Sequence, residues 1–382
     1  MNALTRICAL FLALACFGLE AERSGARAQG QDVYTVSGIV VDETAGSATA
    51  AREKALASAH SMAFDRLIQR IVPVEQRRAV PRLSAGDIAP LILSFGIDDE
   101  KTSSVRYIGR LTFRFRQAEV RRFLQARGVG FAETKSKPVL LLPVFTGVEG
   151  SKLWEDRNVW FDAWKATPPS DGLVPLILPA GDLADVQDIS AAQAVSGDTA
   201  AINAIASRYG VGAVIVSEAS LGAGSVGQQA LNITSRYIGG PFDGQTQVRS
   251  VEVGPQETLE ATVNRAARDI QSRVEEGWQR GNQLDFGRLN ELVAVIKLAD
   301  LREWVEIRAR LGSIAFLSEL QLVAATREQV AVRLSYYGGA EQLRIALAQR
   351  DLHLEKQADA WSLRQSGSGS RTGNAADKPA GQ

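Results

Sequence analysis

Along the chain the hydrophobic positions fall into three periodic stretches, separated by polar segments that carry Gly and Pro. The first opens on residues 33–41, an apolar run that predicts a strand. A helix from Ala48 to Ile71 should follow, with Leu56, Ala59, Ala63, Leu67 and Ile71 at three-to-four spacing and a stop at Pro73. Residues 74–101 contain Pro81 and Pro90 and are expected to be irregular or to hold one short helix. Residues 105–115 then alternate. Tyr107, Leu111, Phe113 and Phe115 share one face and Arg106, Arg110 and Arg114 the other, the pattern of a half-buried strand. A short basic helix over 117–126 and a linker at 134–138 end this stretch.

The second stretch begins with a continuous apolar run, 139–145, suited to a strand covered on both faces. A helix is predicted near 154–166, a second buried strand at 173–178, and a helix at 198–210 capped by Asp198 and stopped by Gly210, running straight into an apolar strand at 211–216. Helix followed by apolar strand, twice over, predicts α/β packing with some parallel pairing. Residues 230–238 and 245–253 read as a polar-faced hairpin, and 255–278 as a closing helix.

In the third stretch the order is strand 292–298, helix 300–311, strands 315–323 and 329–336, helix 340–348, and short strand pieces at 352–356 and 360–363. That βαββαβ order is the ferredoxin-like pattern, and Trp304 and Leu343 should face its sheet. The fold class is therefore α/β and α+β in three small domains. Their expected limits are an N-terminal α+β domain at 31–134, a central α/β domain at 137–281 and a ferredoxin-like sandwich at 288–365. The Gly- and Ser-rich residues 366–382 read as a disordered tail.

Residues 1–28 change the picture, because they carry the signs of a signal peptide. Arg6 precedes a mostly apolar run over 7–19, too short for the ~20 residues that span a bilayer, and Ala26-Arg27-Ala28 offers a cleavage site before Gln29. The expected location is periplasmic or secreted, with a lipoprotein anchored at Cys16 as the alternative. Cys8 and Cys16 are the chain's two cysteines, so the mature chain is expected to be cysteine-free, which excludes disulfides and thiolate chemistry. Lysine plus arginine and aspartate plus glutamate both number 43, so no basic excess points to nucleic acid. No later stretch is long enough to cross a membrane.

The strand ending Val40-Val41-Asp42-Glu43-Thr44-Ala45 with its Ala-rich helix, Trp154, Trp160, Phe161 and Trp164 after an apolar strand, and Leu334, Tyr336, Tyr337, Gly338, Gly339, Leu343, Leu347, Asp351 and Leu352 together resemble the bacterial envelope family called domain of unknown function 2066. The likeness spans nearly the whole mature chain. The central part is also similar in layout to the N-terminal domain of TolB and to CsgG-type envelope proteins. These resemblances imply an envelope protein of several domains and assign no chemistry.

Candidate chemistry is sparse. Gly222, Gly224 and Gly227 match a dinucleotide-binding pattern, with Asp243 further on. The residues after Gly227 read as a strand, however, where a pyrophosphate needs a helix N-terminus. His60 and His353, the only histidines, fall in different predicted domains and read as structural. Asp182, Asp185 and Asp188, and the run Asp98-Asp99-Glu100 in an expected loop, lack calcium-loop spacing and read as solvated acidic surface. No catalytic residue, cofactor or metal is expected.

Two concentrations of binding material remain. Trp154, Trp160 and Trp164 are either buried against the sheet or form an exposed face that grips a protein. Arg106, Arg110 and Arg114, joined by Arg116, Arg121 and Arg122, are either a solvated strand face or a surface for a phosphate-bearing envelope component. The expectation is a non-catalytic periplasmic binding or adaptor protein whose partner is another envelope protein. A carboxylate-dependent envelope hydrolase and a sensor of a small anionic or lipid-phosphate ligand are the alternatives.

Overall fold

A computed structural model of the protein describes residues 33–156, 158–224, 228–284, 289–314, 316–357 and 360–365. The expected signal peptide, its cleavage site, Cys16 and the expected tail lie outside the described residues. Within them the protein is a mixed α/β structure with three sheets.

The first sheet has the order β1-β3-β2, antiparallel throughout, from β1 (Thr35–Thr44), β2 (Ile92–Thr102) and β3 (Arg106–Phe115). Helix α1 (Ala48–Ile71) covers one face. The Ser47 hydroxyl accepts from the Ala50 N–H and caps it. Ala51, Ala55, Ala59 and Ala63, one turn apart, are fully buried against the sheet, because a methyl side chain lets the helix backbone approach closely. Strand β2 replaces the irregular stretch expected from sequence. Register shifts at Ile92/Ser94 and at Ile97/Asp99 interrupt its alternation, and as an exposed edge strand it carries little apolar signal. Asp98, Asp99 and Glu100 therefore lie on a strand and not in a loop. Helices α2 (Ala85–Ile88) and α3 (Gln117–Gln125) complete this unit.

The central sheet has the order β5-β4-β7-β8-β9, with β6 beside β4. Its strands are β4 (Val139–Gly147), β5 (Gly150–Lys152), β6 (Leu176–Ile177), β7 (Ala213–Ala223), β8 (Gln229–Gly239) and β9 (Thr246–Glu252). Strands β4 and β7 pair in parallel from Leu140 opposite Val214 to Thr146 opposite Ser220, and β7, β8 and β9 are antiparallel neighbours. Helices α4 (Val159–Ala166) and α8 (Leu259–Gly281) cover one face, sharing a core with Leu141, Ile215 and Leu231. Helices α5 (Leu183–Asp188), α6 (Ala191–Ser196) and α7 (Thr199–Arg208) lie on the other, where Leu140, Leu142 and Val144 point. Of the strand expected at 173–178 only β6 forms, and the expected helix near 154–166 starts at Val159, where the Asn158 side chain caps the Trp160 and Phe161 N–H groups.

The third sheet has the order β11-β12-β10-β14-β13, from β10 (Leu289–Lys297), β11 (Leu317–Ala325), β12 (Gln329–Tyr337), β13 (Leu352–Gln357) and β14 (Ala360–Gln365). Helices α9 (Leu301–Gly312) and α10 (Ala340–Ala348) supply Ile307, Leu311, Leu343 and Leu347 to its core, against which Trp304 is partly buried. The two short C-terminal pieces form an antiparallel hairpin, and β14 runs parallel to β10. The sheet is thus βαββαββ, with the strand after α10 displaced to the edge.

Side-chain hydrogen bonds join the first two units. Arg70, at the end of α1, is buried. It donates to the Val33 and Thr35 carbonyls at 2.6 and 2.7 Å and pairs with Asp171. Gln279 of α8 donates to the Gln69 and Arg70 carbonyls at 2.9 and 2.8 Å, satisfying acceptors that a helix C-terminus leaves open.

Candidate functional site

Where the central and third units meet, a cavity of about 330 Å³ opens at the amino ends of the parallel strands β4 and β7. Val139, Val214 and Ile215 come from those strands, Tyr237 and Gly239 from the end of β8, and Pro241 and Phe242 from the following turn. Helix α8 contributes Val274 and Trp278, and α10 closes the cavity with Arg344, Ile345 and Ala348. Ile345 packs on the central core although it belongs to the third unit. Cavities of this size between units are common ligand sites.

Backbone geometry allows the wall to form. Gly239 has φ +72°, and a Cβ there would sit 2.4 Å from the Gly212 carbonyl oxygen, so only glycine lets the end of β8 close on the start of β7. Gly239 and Gly240 then turn the chain so that Phe242 returns onto the sheet. Its ring meets Tyr237 at 5.8 Å and Trp278 at 5.9 Å between centroids, both edge to face.

Polar groups are few inside and concentrated at the mouth. The Trp278 indole N–H donates to the Thr134 carbonyl at 2.6 Å, which leaves its ring for the wall. Tyr237 is buried and its hydroxyl makes no hydrogen bond among the described residues; burial raises its pKa, so it stays a neutral donor and acceptor. Lys137, Arg344 and His353 stand exposed at the mouth, and no carboxylate occurs among the described lining residues. Lys137 also ties the units together: its N–H donates to the Gln349 side chain and its ammonium pairs with Asp351, both at 2.5 Å.

Apart from His353, which the sequence marks only as structural, the residues singled out from sequence lie elsewhere, in separate places. Trp160 and Trp164 are 0% and 6% exposed and meet edge to face at 5.6 Å within the core under α4 and α8. Trp154 is partly buried on the opposite side of the sheet, its indole donating to the Ile189 carbonyl at 2.7 Å. An exposed tryptophan face is therefore overturned. The amphipathic helix that puts Trp160 and Trp164 on one face turns that face inward, because it must cover a sheet.

Arg106, Arg110 and Arg114 do point to solvent. Arg106 grips Asp42 through two bonds of 2.7 and 2.5 Å, whereas Arg110, with Asp99 opposite it on β2, and Arg114 form no ion pair among the described residues; Thr112, between Arg110 and Arg114, donates to Asp98. Arg116, Arg121 and Arg122 are spent locally. Arg121 holds buried Glu133, which Tyr34 also bonds; Arg122 pairs with Glu119; Arg116 donates to the Ile92 carbonyl.

Asp185 is not solvated acidic surface. It is fully buried, accepting from the Gly181 N–H at 2.9 Å and the Tyr209 hydroxyl at 2.8 Å, while Asp182 caps α5 and Asp188 pairs with Arg208. Gly222 and Gly224 lead from β7 into the antiparallel strand β8, so no helix N-terminus follows them; Gly227 lies outside the described residues. His60 packs edge-on against Phe113 at 5.5 Å and Phe95 at 6.3 Å.

A second cleft, of about 390 Å³, lies between the first and central units and is lined by Arg66, Arg70, Arg77 and Arg268 with Asp171 and Glu275. Its charges are largely answered from within. Arg66 and Arg77 donate to main-chain carbonyls, and Glu275 accepts from Ser170 and from the Leu173 and Val174 N–H groups. Burial raises the Glu275 carboxyl, a shift that these donors and Arg70 oppose.

The first cavity has no counterpart among the expectations from sequence. Its signal was the pair of glycines before Pro241 and Phe242 together with Tyr237 and Trp278, but nothing in the pattern says that α10 of the third unit faces them. Compared with protein-family models and with curated proteins, the chain matches none.

Proposed function

We propose that the protein is a non-catalytic binding protein of the cell envelope, exported by residues 1–28 as a member of the family it resembles, and that it takes a small apolar molecule between its central unit and a ferredoxin-like third unit. The observation that carries the reading is the cavity, walled by Tyr237, Phe242 and Trp278 and by aliphatic side chains from both units. Filling it would remove apolar surface from water on both sides at once, at roughly 25 cal/mol per Å². An envelope protein partner would then read the relative placement of the two units, since the bound molecule touches both.

A neutral, environment-sensitive dye such as N-phenylnaphthylamine tests the cavity. The expected result is saturable binding of one dye per chain, lost in Ala348→Phe, which fills the space from α10. No saturable binding, or binding unchanged by Ala348→Phe in a variant that keeps its circular dichroism, overturns the reading. Intact-mass analysis of the exported protein tests the location: a mature N-terminus at Gln29 is expected, and retention of residues 1–28 defeats it.

A further inference from the structure

We infer that the cavity takes a single-chain amphiphile with an anionic head, its tail between Tyr237 and Trp278 and its head on Arg344 and Lys137. This rests on the cavity being a binding site, as proposed above, and adds the class of molecule that fills it.

Three features carry the inference. The interior is apolar and about 330 Å³, at the small end of the roughly 300–1,000 Å³ of ligand pockets, which suits a single medium-length chain and is small for a two-chain lipid. Its mouth is cationic. Arg344 spends only its Nε and one terminal nitrogen on Glu341, and Lys137 one bond on Asp351, so N–H donors remain on both while neither carboxylate lines the cavity. An anion placed there gains charge-assisted hydrogen bonds from the N–H groups that Glu341 and Asp351 leave unused, whereas a cation finds no acceptor carboxylate among the described lining residues. The polarity thus runs from cationic rim to apolar floor, the reverse complement of an anionic amphiphile.

The test uses the whole chain and displacement of the neutral dye by decanoate, decyl phosphate, decanol and decyltrimethylammonium. Decanoate or decyl phosphate should displace it about tenfold more tightly than decanol, as one added charge-assisted bond allows, and decyltrimethylammonium should be the weakest. The ratio of the two anions tells a fatty-acid source from a phosphate-headed one. Arg344→Gln should lower anion affinity about tenfold more than it lowers the affinity for decanol, and the fold should persist, since its surface pair with Glu341 contributes little to folding; an equal loss for anions and decanol would overturn the anionic head. If the dye binds but the anions do no better than decanol, the anionic class is wrong and the cavity reading stands. If the dye itself does not bind, the cavity reading has failed.

Discussion

Trp160 donates its indole N–H to the main-chain carbonyl of Ser217, 3.0 Å away in the middle of β7, and so fastens α4 to the centre of the mixed sheet. The same indole lies 3.3 Å from the Ser217 hydroxyl and is fully buried. Trp160→Ala should therefore cost about 3–5 kcal/mol, the range for large aromatic deletions in cores. Denaturant unfolding measures it. A variant with unchanged midpoint would mean that α4 does not pack as described.

Charge reversal at Arg110 and Arg114 should leave stability within about 0.5 kcal/mol, because both side chains stand on the solvent face and neither forms an ion pair among the described residues. Loss of cooperative unfolding in the double variant would contradict the register of β3. Arg106 is the control. Its exposed pair with Asp42 should contribute little to stability, and that little should weaken with salt.

Gly172 and Gly277 should respond to alanine in opposite senses. A Cβ at Gly172 would lie 2.2 Å from the Glu275 carboxylate, which cannot swing aside without releasing Ser170 and the Leu173 and Val174 N–H groups, so Gly172→Ala should cost about 1–3 kcal/mol. At Gly277, inside α8, a Cβ meets nothing within 4 Å, and Gly277→Ala should stabilise by up to about 1 kcal/mol. Paired thermal and denaturant melts compare the two; destabilisation at Gly277 would argue against the path of α8.

His60 links stability to pH. Burial against Phe95 and Phe113 lowers its pKa below the ordinary value near 6.5. The unfolded chain then binds the proton more readily than the folded one, so stability from this group is present above pH ~6.5 and is lost as pH falls through the folded pKa. In His60→Phe that part of the slope should vanish. Unfolding free energies measured at several pH values for both proteins check it, and an equal acid slope in the variant would remove His60 as the cause.

What the sequence by itself determined was local. The extent of α1 is legible, since the apolar spacing from Leu56 to Ile71 and the stop at Pro73 are short-range signals. The solvent face of β3 and the cap at Asp198 follow from periodicity and from residues within a turn of each other, and the apolar runs that become β4 and β7 announce some parallel pairing without saying which strands meet. Tertiary structure alone decided the rest. Strand β2 depends on its partner β3, because its own bulged, exposed sequence has no alternation to read. The inward turn of Trp160, the burial of Asp185 beneath Tyr209 and the cavity between Trp278 and Ile345 join residues 24 to 67 positions apart or more. Such contacts arise because each unit buries one face and leaves an edge or end for its neighbour to cover, and which neighbour arrives is set by packing between elements and leaves no periodic trace in the chain.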